Sequence, residues 1–259
     1  MPSVAHSAPV DTDDRAIAEA LIAVRRGAPR ADAHHFQVAD DAQAYRVQAR
    51  VAQAFGWPVP ARHWKSGGPA RDARLTHAPL PPEGVWPSPA DARHWPFHGR
   101  GIEAEIALRL GTDVDAAMAQ RLQPAQAPDL LDAMAVAVEI VDTRWAQGLA
   151  APVWHKLADL QSHGALVLGA WQPLRAVDWA RQRVEVQIGD RVQHFTGTHS
   201  LGDPAWLLPQ WLRHATRDGA VLPAGTVVTT GTWCGLPQAQ PGDAVRVAFD
   251  GLGEVRVRF

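Results

Sequence analysis

Two segments near the start of the chain space their apolar residues three and four positions apart, the period of an amphipathic helix. The first, 11–27, has acidic residues in its first turn and a glycine stop. The second, 40–56, opens with an aspartate followed three residues later by Gln43, which resembles a capping box, and also ends at a glycine. We predict an α-rich N-terminal region, residues 1–75, with a short strand at 63–65.

From about residue 100 the pattern changes to short apolar runs and alternation, which is typical of β-strands. Strands are predicted at 101–108, 133–139, 165–168, 184–188, 191–195, 226–230, 244–249 and 254–259. Two helices interrupt them, a short one at 113–122 and one that opens at Asp203-Pro204, where aspartate caps and proline suits the first turn. The sequence therefore predicts an α+β protein whose residues 76–259 form a β-rich domain.

The segment from Ala78 to Trp95 is dense in proline and glycine. Such density predicts a long loop, and long loops in compact domains often lie near functional sites. Disorder is the alternative reading of the same composition.

Net charge, cysteine content and the length of apolar runs indicate which partners and which compartment to expect for this protein. The 259 residues carry a formal net charge of −2, and this balance lacks the excess of positive charge that is typical of proteins that bind nucleic acid. Cys234 is the only cysteine, as is typical of proteins in a reducing compartment. No stretch reaches the roughly 18 apolar residues of a membrane span, and the N-terminus lacks the pattern of a secretory signal. We expect a cytoplasmic protein that binds neither nucleic acid nor membrane.

Three acids are the first candidates for chemistry. Because side chains alternate along a strand, Glu103 and Glu105 point to the same face. Glu139 closes the apolar run 133–138, which predicts a buried strand. If the three meet, they form an oxygen site for Mg²⁺ or Mn²⁺ rather than zinc. The alternative is a solvated strand face, with Glu139 paired to Arg144.

Other catalytic motifs find no support. The twelve histidines show no H-E-x-x-H spacing, and no nucleophile elbow or phosphate-binding glycine loop is present. Ser162-His163 and His199-Ser200 are sequence neighbours, which a strand would point to opposite faces. We interpret both pairs as structural.

The acid-bearing strands also resemble a known family, the hydratase and decarboxylase branch of the fumarylacetoacetase superfamily. Three further stretches agree in the same order, as does the helix start at Gly202-Asp203-Pro204. The stretches are Gly101–Ile106 with Val138–Arg144, Trp64–Gly67, Leu157–Gly169 and Thr229–Asp243. They span nearly the whole chain.

This resemblance implies a C-terminal mixed β-roll or barrel with a smaller α-rich N-terminal part. It implies metal ligands at Glu103, Glu105 and Glu139, and a catalytic or substrate-positioning lysine at Lys65. The remaining implied site residues are the substrate-contacting Ser162 and the Gly67 of the lysine motif, with Asp142 and Arg144 as a supporting ion pair. Members of the superfamily commonly form homo-oligomers.

The implied chemistry is metal-dependent hydration of small 2-oxo or 2-hydroxydienoic acids, such as 2-keto-4-pentenoate, in aromatic catabolism. A chelated 2-oxo acid has a polarised carbonyl and a stabilised enolate, which is the step that hydration and decarboxylation share. We expect the cation and burial to lower the pKa of Lys65, so that it can donate a proton. Alternatives are a 4-oxalocrotonate-type decarboxylase, an acylpyruvate C–C hydrolase, and a catalytically silent small-acid-binding homologue.

Two positions depart from the family pattern. Proline stands where an aspartate is common, and Glu83 in Pro81-Pro82-Glu83-Gly84 is a possible replacement. Leu160 follows Asp159 where the family has an asparagine. A glutamate rather than an aspartate at the third ligand position, Glu139, favours the hydratase branch over the C–C hydrolases.

Overall fold

The computed structural model describes residues 13–259, and their contacts divide the chain into two units. The first unit takes the described residues up to Gly56 together with Thr143–Ser162. The second takes Trp57–Asp142 and His163–Phe259. The first two positions of the predicted helix 11–27, and the N-terminal segment tested for a signal, lie outside the described residues.

Five α-helices and thirteen strands are found in the described part of the chain. The helices are α1 Asp14–Arg25, α2 Asp41–Phe55, α3 Ala116–Arg121, α4 Val153–Ala158 and α5 Leu208–Ala215. The strands are β1 His63–Gly67, β2 Thr76–Pro79, β3 Val85–Pro87, β4 Ala90–Asp91, β5 Gly101–Leu110, β6 Leu131–Val141, β7 His163–Leu168, β8 Gln172–Pro173, β9 Arg183–Ile188, β10 Arg191–Thr196, β11 Val227–Thr229, β12 Ala244–Phe249 and β13 Gly253–Arg258. None of these helices has the length and apolar character needed to cross a membrane.

The first unit is helical, as predicted for the N-terminal part. In α2 the Asp40 side chain accepts from the Gln43 N–H at 2.8 Å, and Gly56 ends the helix in the left-handed conformation at φ 65°. The Gln43 side chain accepts from the Ala39 N–H, one residue before the expected capping-box partner. Helix α2 packs against α1 and α4, and its apolar stripe fills the space between them.

The second unit contains two sheets. The larger has the order β2-β1-β11-β5-β6-β7-β3, with β8 paired to β6, and mixes parallel with antiparallel neighbours. The smaller has the order β10-β9-β12-β13-β4. Alternate residues of β5, such as Ile102 and Ile106, enter a core shared with Val247 and Val255 of the smaller sheet. The opposite face of β5 therefore presents Glu103 and Glu105.

The proline-rich segment 78–95 is not the long loop that its composition predicts. Strand β3 pairs with β7 and β4 pairs with β13, both in parallel. Each of these short strands lies at an edge of its sheet. Proline is tolerated at edges because an edge strand leaves one side of its backbone unpaired.

The units also differ from the division predicted at residue 75. Strand β1 pairs with β11 of the second unit, although it precedes that residue. Residues 143–162 belong with the N-terminal helices, because α4 packs on α2 and the Gln48 side chain donates to the Leu157 carbonyl at 2.7 Å. Both assignments depend on contacts distant in sequence.

Candidate metal centre

Adjacent strands of the larger sheet bring the three predicted acids together. Glu103 on β5 and Glu139 on β6 are directly opposite in register, and Glu105 lies two residues further along β5. Each offers a carboxylate oxygen, and the three atoms lie within 4.8 Å of one another. Glu105 and Glu139 are buried, whereas Glu103 is partly exposed. The acids form one cluster rather than a solvated strand face.

Lys65 extends from β1 into this cluster. Its Nζ lies 2.5 Å from Oε1 of Glu139, and its side chain is largely buried. Strand β11 separates β1 from β5 in the sheet, so the long lysine side chain spans the distance to the acids. The structure thus brings Lys65 to the three acids. The donor to Oε1 of Glu139 is Lys65, in place of the Arg144 considered as the alternative partner.

His163 is a second donor to the same carboxylate, although its sequence context predicts a structural residue. It is fully buried at the start of β7, with Nδ1 3.0 Å from Oε1 of Glu139. An ionised carboxylate only accepts hydrogen bonds, so the ring proton must be on Nδ1. The one sequence feature that indicates a role for His163 at the site is its position directly after Ser162 in a motif of the family. Strand alternation argues against such a role, because it points neighbouring side chains to opposite faces.

Gly231 contacts the cluster through its backbone, and Gly67 lies close to Gly231. The Gly231 N–H donates to Oε2 of Glu105 at 2.9 Å, in a turn where Gly231 has φ 102°. A Cβ on Gly67 would lie 3.9 Å from the Cα of Gly231, so the end of β1 runs close to this turn. A glycine at 231 allows a backbone conformation that other residues rarely adopt.

Burial and the charges of neighbouring groups give the three acids different pKa values. Burial raises the pKa of Glu103 well above its ordinary value, although the Lys65 charge opposes this. Burial and the charge of Glu139 raise the pKa of Glu105 to about 7. Burial also raises that of Glu139, but Lys65 and His163 outweigh it and leave this pKa below its ordinary value. Glu139 is the ionised member, and the other two retain protons easily.

The expected lowering of the Lys65 pKa depends on a bound cation, and the protein groups by themselves act in the opposite direction. Burial lowers the pKa of Lys65, but the charges of Glu139, Glu103 and Glu105 together raise it above the ordinary value. The protein groups alone therefore keep Lys65 protonated.

The cluster suits a divalent cation. Three carboxylates at one point repel one another, and hard cations such as Mg²⁺, Mn²⁺ and Ca²⁺ take oxygen ligands of this kind. Oε2 of Glu139 is buried without a hydrogen-bond partner among the described residues, which is costly unless a ligand contacts it. Glu103, Glu105 and Glu139 are the residues that would hold the ion.

The two predicted supporting residues, Asp142 and Arg144, each make contacts with other groups. Asp142 accepts from the backbone N–H groups of His98 and Gly99, at 3.2 and 2.7 Å. Arg144, in the first unit, donates from Nε to Asp159 at 2.7 Å. The ion pair between Asp142 and Arg144 stays a prediction.

Ser162 ends a strained turn of the first unit. Leu160, Gln161 and Ser162 have φ values of 52°, 55° and 59°, a conformation that costs non-glycine residues about 1–3 kcal/mol each and concentrates at functional sites. The Ser162 hydroxyl is buried without a hydrogen-bond partner among the described residues. Its predicted contact with substrate stays a prediction.

Glu83 lies in the 3₁₀ turn Pro82–Gly84 and is exposed. Its carboxylate accepts from the indole N–H of Trp57 at 3.1 Å. The replacement of the family aspartate by Glu83 stays a prediction.

The fold and the cluster together define a class: a mixed β-sheet protein with a carboxylate site for a divalent cation. Comparison with known proteins identifies the family. The model of the fumarylacetoacetate (FAA) hydrolase C-terminal region matches residues 61–259, and the chain therefore belongs to this family.

Two curated relatives of the chain have names that refer to two different reactions. The chain is 32% identical over 165 residues to 2-keto-4-pentenoate hydratase 1 of Dechloromonas aromatica (strain RCB), covering 61% of this chain and 59% of that protein. It is 28% identical over 165 residues to a 4-oxalocrotonate decarboxylase of Pseudomonas sp., covering 64% and 62%. The chain thus spans about three fifths of the length of these relatives.

Solved structures confirm the predicted fold. The structure of 4-oxalocrotonate decarboxylase from Pseudomonas putida G7, complexed with magnesium and adipate, superposes with a TM-score of 0.81. It is 21% identical and covers 96% of this chain and 100% of its own. Fumarylpyruvate hydrolase from Pseudomonas aeruginosa, in complex with Mn²⁺ and pyruvate, gives a TM-score of 0.52 at 17% identity, with 76% and 88% covered.

Proposed function

We propose that this protein is a divalent-cation-dependent hydratase of small 2-oxo or 2-hydroxydienoic acids such as 2-keto-4-pentenoate. The observation that carries the proposal is the meeting of Glu103, Glu105 and Glu139 with the buried Lys65 at one point of the sheet. Relatives named as 2-keto-4-pentenoate hydratases, 30–32% identical over 165–171 residues, support the hydratase assignment.

We propose Mg²⁺ or Mn²⁺ as the cation. Both are hard ions with small coordination spheres, and three carboxylates leave positions for a chelating ligand. Bound there, the ion would supply Lewis-acid polarisation of the substrate keto oxygen and stabilisation of the negative charge that develops on it.

Lys65 is the proposed acid and positioning group. In the cation-free protein the surrounding carboxylates hold the pKa of Lys65 above its ordinary value, so Nζ carries the proton that the proposed role requires. A buried ammonium beside the reacting carbonyl stabilises negative charge there and can return a proton to carbon.

The remaining roles rest on the family resemblance. We propose that Ser162 and Gly67 contact the substrate, and the unpartnered Ser162 hydroxyl supports this for the serine. Asp142 and Arg144 are proposed to have the supporting role that the family resemblance implies. For Asp142, just after β6, the contacts with the backbone of His98 and Gly99 support this role.

Decarboxylation of a 4-oxalocrotonate-type acid is the second candidate. It is favoured by the relative of that name and by the decarboxylase fold that covers 96% of this chain. Both reactions share an enolate of the substrate, so the same cluster serves either. The acylpyruvate C–C hydrolases are less favoured, because the third acid here is Glu139 rather than an aspartate.

Assays on two substrates test the proposal. We expect the purified protein with Mg²⁺ to add water to 2-hydroxypenta-2,4-dienoate, followed by ultraviolet absorbance, and not to release CO₂ from 4-oxalocrotonate. Release of CO₂ without hydration would favour the second candidate. The Glu103→Gln variant must lose both activity and Mn²⁺ affinity, whereas a silent acid-binding homologue would show no turnover with either protein.

We also propose that the protein is a cytoplasmic homo-oligomer. The single cysteine and the family resemblance support this. Light scattering coupled to size-exclusion chromatography tests the assembly, and a mass equal to one chain would contradict it.

A further inference from the structure

Two donors converge on a single oxygen of Glu139. Lys65 Nζ lies 2.5 Å and His163 Nδ1 3.0 Å from Oε1. The other oxygen, Oε2, is buried and has no hydrogen-bond partner among the described residues. The two oxygens of one carboxylate therefore have different surroundings.

The two donors do not constrain the carboxylate equally. A lysine has a flexible stem and three rotatable N–H groups, so it follows the carboxylate rather than directing it. The imidazole of His163 is planar, and its N–H has one direction. His163 is also fully buried, so its ring has little room to turn.

The backbone around His163 is built for this close approach. A Cβ on the next residue, Gly164, would lie 2.6 Å from the Ile140 carbonyl oxygen and 2.9 Å from Cβ of Asp142. Only a glycine allows β7 to pass so close to β6 at this point. The β6–β7 register is also irregular here, between Ile140 and Val141.

From this geometry we infer that His163 is a positioning residue that fixes the plane of the Glu139 carboxylate and presents Oε2 to the cation. The inference rests on the proposed cation site and deepens it. Carboxylates that bind a metal are commonly held by hydrogen bonds from neighbouring groups, which orient the ligand and raise the metal affinity of the site.

The alternative is a core hydrogen bond that only stabilises the fold. Two variants separate these roles. His163→Asn places an amide N–H near the position of Nδ1, whereas His163→Leu keeps a similar volume and removes the donor. Both remove the ring, so a general loss of packing affects both.

Mn²⁺ titration, followed by the electron paramagnetic resonance signal of the free ion, is the main measurement. We expect His163→Leu to weaken Mn²⁺ binding by about 10- to 100-fold and His163→Asn to recover most of it. Thermal unfolding in EDTA reports the stability of each variant separately. Equal Mn²⁺ affinity in the leucine variant and the wild type would overturn the inference, and so would equal losses in both variants.

A measurement on the wild type keeps the test valid if the leucine variant does not fold. Nitrogen-15 spectra of the labelled imidazoles, with His163 assigned by its absence from the asparagine variant, must show the neutral Nδ1–H tautomer and a shift during Mg²⁺ titration. The opposite tautomer, or a resonance that ignores Mg²⁺ while the protein binds it, would overturn the inference. Failure of the wild type to bind Mn²⁺ would instead reject the cation site on which the proposed function also depends.

Discussion

Replacing Glu105 by glutamine should stabilise the cation-free protein while weakening its cation binding. Glu105 is buried, and burial and the charge of Glu139 raise its pKa to about 7. Glutamine has the same shape, and its amide oxygen can still accept from the Gly231 N–H, which lies 2.9 Å from the carboxylate. The substitution therefore removes mainly the charge.

The magnitude follows from the pKa. The shift from the ordinary value of 4.5 to about 7 corresponds to about 3 kcal/mol, at 1.36 kcal/mol per unit. Between these values the folded protein keeps a proton that the unfolded chain has released, so stability falls as the pH rises through this window. We expect Glu105→Gln to gain up to about 3 kcal/mol at about pH 8, and little at about pH 5.

Urea unfolding in EDTA at both pH values measures this gain. Glu19→Gln is the matched control, because the Glu19 side chain is 60% exposed and the same chemical change there should alter stability by less than about 0.5 kcal/mol. Mn²⁺ titration of Glu105→Gln should show weaker binding. A variant less stable than the wild type at pH 8, or a gain that does not depend on pH, would refute the repulsion argument.

Three further predictions concern the same site. Mn²⁺ affinity should rise as the pH rises through about 7, the pKa of Glu105, because Glu105 must release its proton to bind the ion, and a flat profile would contradict this. Lys65→Met should lower kcat by about 10²-fold or more without weakening Mn²⁺ binding, since it removes a positive charge beside the ligands, and parallel losses would assign Lys65 to binding instead. Gly164→Ala should destabilise the protein by about 1–3 kcal/mol in urea, because its Cβ would lie 2.6 Å from the Ile140 carbonyl oxygen, and unchanged stability would show that β7 can shift.

Residues close in sequence account for what was predicted well. The alternation at 101–108 placed Glu103 and Glu105 on one face, and the apolar run 133–138 predicted the buried strand that carries Glu139. Helix periods and glycine stops similarly predicted 11–27 and 40–56 over their described residues. The family resemblance added Lys65, which spacing alone could not connect to the acids.

Residues distant in sequence account for the differences. His163 contacts Glu139 because of the β6–β7 register, and no local pattern encodes that register. The strands within 78–95 exist because edges of two sheets accept them, and the prolines there suggested a loop.

The sequence by itself determined which side of each strand faces the core and which residue types are available for chemistry, because both follow from backbone alternation and side-chain identity. The tertiary structure alone decided that Glu103 and Glu139 stand opposite each other, and that one oxygen of Glu139 receives Lys65 and His163 while the other receives no described group. Strand order and register arise from packing of the whole unit, and a shift of a single residue would turn each of these side chains to the opposite face.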